Sequence, residues 1–164
     1  MTGMTVLDLP DSGLKEVDPR RLEQAIAEET ERVHPDVLVS YPAHGVSGFH
    51  DHLITHAVVK RVFVELREPI PELRRLAFCT LTEEQAKAST VFPLSSSTAE
   101  EIDCLVQVES QDIEACRRAL DCYVTFKETI ERTGIKEKLY PEVPFEFFAE
   151  DLRPPVDELF AQLP

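Results

Sequence analysis

Residues 18–67 constrain the fold more than any other stretch. A helical pattern, a short unbroken apolar run and a second helical pattern follow one another, with a glycine loop between the last two. Asp18 can cap a helix and Pro19 suits its first position. Leu22, Ala25, Ile26, Glu29 and Val33 then keep a helical period. Pro35 disfavours helical geometry in the residue before it, so this helix should stop at His34. The run Val37–Tyr41 is apolar without alternation, which fits a central parallel strand covered on both faces. After the loop YPAHGVSG, the segment from Asp51 to about Arg67 is apolar nearly all round and reads as a buried helix, ended by Pro69 and Pro71.

The same alternation continues. Residues 4–9 look like a strand, followed by a Pro-Asp-Ser-Gly turn. Leu73–Leu81 looks like another strand, Thr82-Glu83-Glu84 opens a short helix, and Ile102–Val108 alternates as a half-buried strand. Residues 110–133 read as one long helix with Ile113, Cys116, Leu120, Tyr123, Val124 and Ile130 on one face and Gly134 just beyond it. Residues 141–164 form a Pro-rich arm with aromatic anchors Phe145, Phe147, Phe148 and Phe160 and a last short helix, packing on the rest of a single domain that spans 1–164. Alternating helices and apolar strands predict an α/β fold, a Rossmann-like open and mainly parallel sheet with flanking helices. The alternation begins in mid-pattern, as if a first strand–helix unit were lacking.

The net charge of -14 repels phosphate backbones, and the arginine pairs 20–21 and 74–75 sit beside acids, so no nucleic-acid partner is expected. No stretch approaches the roughly 20 apolar residues of a membrane span. The N-terminus MTGMTVLDLPDSG lacks the basic head and apolar core of a signal peptide. Cys79, Cys104, Cys116 and Cys122 show no metal-binding spacing and read as reduced, buried thiols of a cytoplasmic protein.

The chemistry concentrates in SGFHDHLITHAVV, residues 47–59, where His50, Asp51, His52 and His56 fall together. The loop before them leaves the carboxyl end of a strand, where open α/β sheets bind ligands. Gly45 and Gly48 permit sharp turns, and an aspartate beside a histidine can accept a ring N–H and fix its tautomer. Other readings stand beside this one. Asp51 can be an N-cap with the histidines as loop polar groups. His52 and His56 have the spacing of HExxH zinc helices, although Leu53 occupies the place of the general-base glutamate. A metal site using His50, His52 and His56 would need three rings on one helix face, which the spacing spreads apart. His44 and His56 also read as structural groups.

The stretch RLEQAIAEETERVHPDVLVSYPAHGVSGFHDHLITHAVVKRVF resembles the second half of the PIG-L/LmbE family of zinc-dependent N-deacetylases. That family has a helix, a strand of the type (R)PDVV(V/I)T, a glycine loop and an HPDH-like motif that opens a helix. Here these read HPDVLVSY, PAHGVSG and FHDH. The segment LDLPDSGLKEVDP is similar to what precedes that helix in the family, and EIDCLVQVESQDIEACRRALDCYVTF to its late strand and helix. The resemblance is strongest over residues 20–66.

It implies hydrolysis of an N-acetyl group from an amino sugar, such as N-acetylglucosamine carried on an inositol, a phosphatidylinositol or malate. It also implies one zinc ion, Zn2+, held by a His and an Asp of an HPDDE motif and by the last His of the HPDH-like motif. Carried over, that last His is His52, the metal ligand. Asp51 matches the motif's Asp and supports the neighbouring imidazole. The motif's first His, which stabilises the oxyanion, aligns with Phe49, and His50 falls on its proline as a candidate for that role. His44, Gly45 and Ser47 of the loop would contact the sugar. No HPDDE occurs before residue 34, and His34-Pro35-Asp36, which looks like part of one, precedes a strand rather than following it. His34 is therefore read as a helix-end histidine. The resemblance thus describes a member without its first strand and helix, as a truncated reading frame or a start at an internal Met1 or Met4 would give, inactive by itself. The alternative is a genuinely short, non-catalytic relative acting as a binding or assembly module, able to pack into a homo-oligomer through its acidic surface and aromatic arm.

Overall fold

The computed structural model describes residues 3–163. Helix α1, Pro19–Val33, begins where Asp18 accepts a hydrogen bond from the Arg20 N–H (3.0 Å) and ends on His34 in the left-handed conformation. Strand β1, Val37–Ser40, follows, then helix α2, His50–Leu66, and strand β2, Arg75–Cys79. The short helix α3, Glu83–Lys87, has a capping box in which Thr82 and Gln85 each take the other's backbone N–H. Strand β3, Cys104–Gln107, helix α4, Ser110–Asp121, helix α5, Lys127–Thr133, and strand β4, Glu142–Phe147, complete the order.

The four strands lie in the order β1-β2-β4-β3. β1 and β2 pair parallel, whereas β4 pairs antiparallel with both β2 and β3. The α/β class holds, but the sheet is mixed rather than mainly parallel. The reason lies in the stretch read as a covering arm: its Pro-rich start hides a central strand. Pro144 is tolerated because β2 is ending beside it. Its carbonyl accepts from the Thr80 N–H just past Cys79 (3.0 Å), so its missing donor is not needed inside the β2 ladder.

The sheet has two apolar faces, set by strand alternation. On one, Leu38, Leu76 and Phe78 meet Val59 and Phe63 of α2 and Ile26 of α1. On the other, Ala77, Cys104, Phe145 and Phe147 are covered by Leu152, Val156 and Leu159 of the chain's last segment. That segment makes turns and one bridge from Val156 to Cys104 instead of a last helix.

Other expectations change as well. Residues 4–9 form no strand; Met4 and Val6 are about three-quarters exposed, at 76% and 74%, and find no sheet edge to join. β1 is an edge strand whose one ladder partner among the described residues is β2, and Val39 is half exposed. The long helix expected over 110–133 breaks between Asp121 and Lys127. The intervening Tyr123, Val124 and Phe126 are exposed and weak helix formers, so nothing holds the helix together there. Cys104 is buried and Cys79 half-buried, but Cys116 and Cys122 are exposed; all four are free thiols. No helix of the described residues is long and apolar enough to cross a membrane.

Arg75 is fully buried, with all five N–H groups paired. Nε and Nη2 take both carboxylate oxygens of Glu150 (2.9 and 2.6 Å). Nη1 donates to the carbonyls of Leu159 (2.6 Å) and Ala161 (2.9 Å), and Nη2 to that of Gln162 (3.2 Å). Phe147 lies 4.0 Å beneath the guanidinium. Asp103, also buried, accepts from the N–H groups of Phe147 (2.8 Å) and Leu152 (3.0 Å).

Removing one partner of a buried ion pair costs about 3–5 kcal/mol, because the other charge is left without compensation. Arg75→Ala should therefore lower the unfolding free energy by about that amount in urea titration. Burial pushes the Cys104 thiol up from its ordinary 9.0 to about 11, nearby acids adding to the effect and Arg75 opposing it. Between those values the unfolded chain has lost the proton that the folded chain keeps, so stability falls as pH rises through this window. The slope from this one thiol is at most about 1.4 kcal/mol per pH unit. Cys104→Ala should flatten the alkaline decline of the denaturation midpoint; an unchanged slope would assign the decline to other groups.

Candidate functional site

The site grows from the carboxyl end of β1. Pro42 is fully buried, and the chain then turns through Gly45, Val46 and Gly48, all at positive φ (65°, 57° and 69°). That conformation is uncommon for a β-branched residue. Val46 is held in it from both sides: its N–H donates to His44 Nδ1 (3.2 Å) and its carbonyl accepts from the Ser95 N–H (2.7 Å). At Gly45 a Cβ would lie 3.1 Å from the His52 Cβ and 3.0 Å from a Leu53 methyl. Gly45 is thus required twice, by its conformation and by the close approach of α2.

This approach fixes His52. Its Nδ1 lies 2.9 Å from the Gly45 carbonyl and 3.0 Å from Ser47 Oγ. A carbonyl can only accept, so Nδ1 carries the proton and Nε2 keeps its lone pair. The ring stacks on Tyr41 at 4.0 Å with an angle of 8°, and Phe49 meets it edge-on at 5.7 Å. His56, one turn further along α2, is tied in the same sense, donating from Nδ1 to the Tyr41 carbonyl (2.8 Å) and lying against Phe78. Partial burial raises the pKa of the Tyr41 phenol, with Cys79 adding to the shift, so the hydroxyl stays protonated.

Helix α2 starts at His50, one residue earlier than read from sequence, with Phe49 as its N-cap. His50 is exposed. Asp51 is not the cap: its Oδ1 accepts from the Leu14 N–H (3.2 Å) and ties the turn over Leu14–Glu16 to the start of α2. The bonds that orient the His52 ring come from Gly45 and Ser47. Loop residues His44, Gly45 and Ser47 do lie together beside His52.

His44 belongs to a second polar group that no sequence motif marks. Its Nε2 lies 3.5 Å from Ser97 Oγ and 3.9 Å from the Glu146 carboxylate. Ser97, buried, donates to Glu146 and also meets Thr80 Oγ1 at 2.6 Å. Because the Val46 N–H donates to His44 Nδ1, Nε2 is the protonated nitrogen and faces these acceptors. The Ser97 proton is directed to Glu146, so His44 is not placed as a base toward Ser97. Ser40 Oγ, at the end of β1, is buried with no hydrogen-bond partner among the described residues. Nothing in the sequence marks Ser97 or Glu146, since they meet His44 only through the sheet.

Among the described residues no group of three or more His, Cys, Asp or Glu side chains is placed to hold a metal ion. A catalytic zinc takes three protein ligands and an open position. The oriented His52 imidazole suits one such ligand; the set is not present.

No curated protein matches the chain. The likeness read over residues 101–126 to a late strand and helix lies outside the family match, which ends at residue 63. The PIG-L family model, described as GlcNAc-PI de-N-acetylase, matches residues 1–63, so the stretch that carries α1, β1, the glycine loop and most of α2 is similar to that family.

Proposed function

We propose that this chain carries the histidine side of an N-deacetylase centre, one that hydrolyses the N-acetyl group of an N-acetylglucosamine-type conjugate. The observation that supports this reading best is the His52 ring, locked through Nδ1 to the Gly45 carbonyl with Nε2 left available at the carboxyl end of β1. A zinc ion would supply polarisation of the acetamide and a bound hydroxide. The residues described here do not complete its ligand set, so the chain alone should be inactive.

What the chain's own residues would do is narrower. His52 would present Nε2 as the ligand, and Ser47 and Gly45 would hold its tautomer. Tyr41 would keep the ring flat against one wall, and Asp51 would fix the start of α2. His44, His50, Gly45 and Ser47 form the rim that a sugar hydroxyl or acetamide would meet. A second reading, a non-catalytic assembly module, is favoured by one observation: β1 is an edge strand with Val39 half exposed.

The test begins with acetate release from N-acetylglucosaminyl-inositol in the presence of zinc. This chain should release none. The protein expressed from the reading frame that precedes Met1, if that frame supplies an HPDD-type segment, should release acetate and lose at least about a hundredfold in kcat/KM on His52→Ala. Ser47→Ala should cost less, because Gly45 still orients the ring. A stop codon directly upstream, or activity that survives His52→Ala, would overturn the deacetylase reading and leave the assembly module.

A further inference from the structure

A cavity of about 580 Å³ lies where α4, α5 and the turn after Gly134 stand over the sheet near the ends of β2 and β3. It borders the candidate site through Val46 but is made by other elements. Its lining is almost entirely apolar and mostly aliphatic, including Ile113 and Leu120 of α4, Ile130 of α5, and Leu139 and Val143 beneath them. A volume of this size falls in the range of about 300–1,000 Å³ typical of small-molecule sites, whose walls are apolar with a few placed polar groups. Packed interiors hold few voids larger than a water molecule.

The two helices form walls of this cavity. Helix α4 has a well-marked apolar stripe in Ile113, Cys116 and Leu120, yet no residue of α4 or α5 is buried. Their fixings are at the margin, through Arg117 to the Lys136 carbonyl and Lys136 to Asp121. An amphipathic helix normally buries its stripe against a partner. Here the stripe faces the cavity. Among the lining side chains Lys138 is the one cation, and one of its N–H bonds goes to the Thr133 carbonyl (3.0 Å). Asp112 and Glu142 also border the cavity, so Lys138 is the one lining side chain that attracts an anion.

We propose that this cavity binds a medium-length, unbranched alkyl chain ending in a carboxylate, with the chain against the α4 stripe and the carboxylate at Lys138. Aliphatic walls give no directional demand beyond exclusion of water, which suits an alkyl chain. The single cation gives the orientation. The inference stands apart from the deacetylase reading, since none of its residues holds the His52 ring.

The experiment titrates dodecanoate, kept below its micelle-forming concentration, into the full chain and follows heat and methyl NMR shifts. A single saturable class of site is expected, with shifts centred on Ile113, Leu120, Ile130 and Val143. The melting temperature should rise with ligand, as linkage requires. Cys116→Phe puts a ring into the cavity from a helix with no buried residue, so the fold should survive and affinity should fall at least about tenfold. Lys138→Gln should weaken dodecanoate several-fold and leave dodecanol unchanged. Non-saturable uptake, or affinity indifferent to Cys116→Phe, would overturn the site. Equal effects of Lys138→Gln on acid and alcohol would overturn the placement of the carboxylate.

Discussion

A guanidinium removed from water must find acceptors for five N–H groups or destabilise whatever buries it. Arg75 finds them all in the last segment of the chain, in the Glu150 carboxylate and three carbonyls between Leu159 and Gln162. This makes a central strand and the C-terminal segment mutually dependent. β2 cannot bury Arg75 unless the segment is in place, and the segment's Leu152, Val156 and Leu159 cover the sheet face from which Arg75 projects. Asp103 does the same from the residue before β3, accepting from Phe147 at the end of β4 and from Leu152 beyond it. Two buried charges of opposite sign thus clamp one strand and its continuation, and one apolar face of the sheet closes only when both are satisfied.

The clamp reaches the candidate site. β4 runs antiparallel to β2 and pairs Glu146 with Phe78, which places the carboxylate on the face opposite Arg75, near the end of β1. From there it accepts from Ser97 and faces His44 in the glycine loop. The loop is therefore held from two directions. The start of α2 presses on Gly45 from one side, and Ser95, Ser97 and Glu146 hold Val46 and His44 from the other. A loop with three left-handed positions in four residues needs such support, because unsupported it would relax toward commoner conformations.

How far the sequence foretold this depends on whether the governing contact was local. The cap at Asp18, the stop at Pro35, the strand at Val37 and the helix opening at Thr82 are decided within a few residues, and the structure has them where the sequence places them. The break inside 110–133 is also local: the helical period runs across it, but Tyr123 to Phe126 are weak helix formers and exposure of that stretch lets them decide. β4 was not legible, because Pro144 argues against a central strand unless the neighbouring strand is known to end beside it. Among the site residues, His52 could be picked out by its place after a strand and glycine loop. Its orientation by a carbonyl could not, since an adjacent Asp51 is the partner sequence offers first, and that carboxylate is engaged by the Leu14 N–H.

The edge position of β1 has a further consequence for the His52 ring. A strand paired on one side only presents unsatisfied backbone groups and invites another strand. Val37 is drawn into the apolar face covered by the C-terminal segment, but Val39, on the same side of the strand and nearer the site, stands beyond that cover. Tyr41 and His52, stacked on each other, lie at the end of this partly covered edge. A strand added there would bring its own carboxyl-end residues toward the Nε2 atom of His52, provided it ran parallel to β1. An antiparallel strand would bring its amino end instead. The direction in which the edge is filled therefore decides whether the oriented imidazole gains partners for chemistry or becomes one wall of an interface, and the fixed tautomer of His52 suits the first outcome without requiring it for the fold.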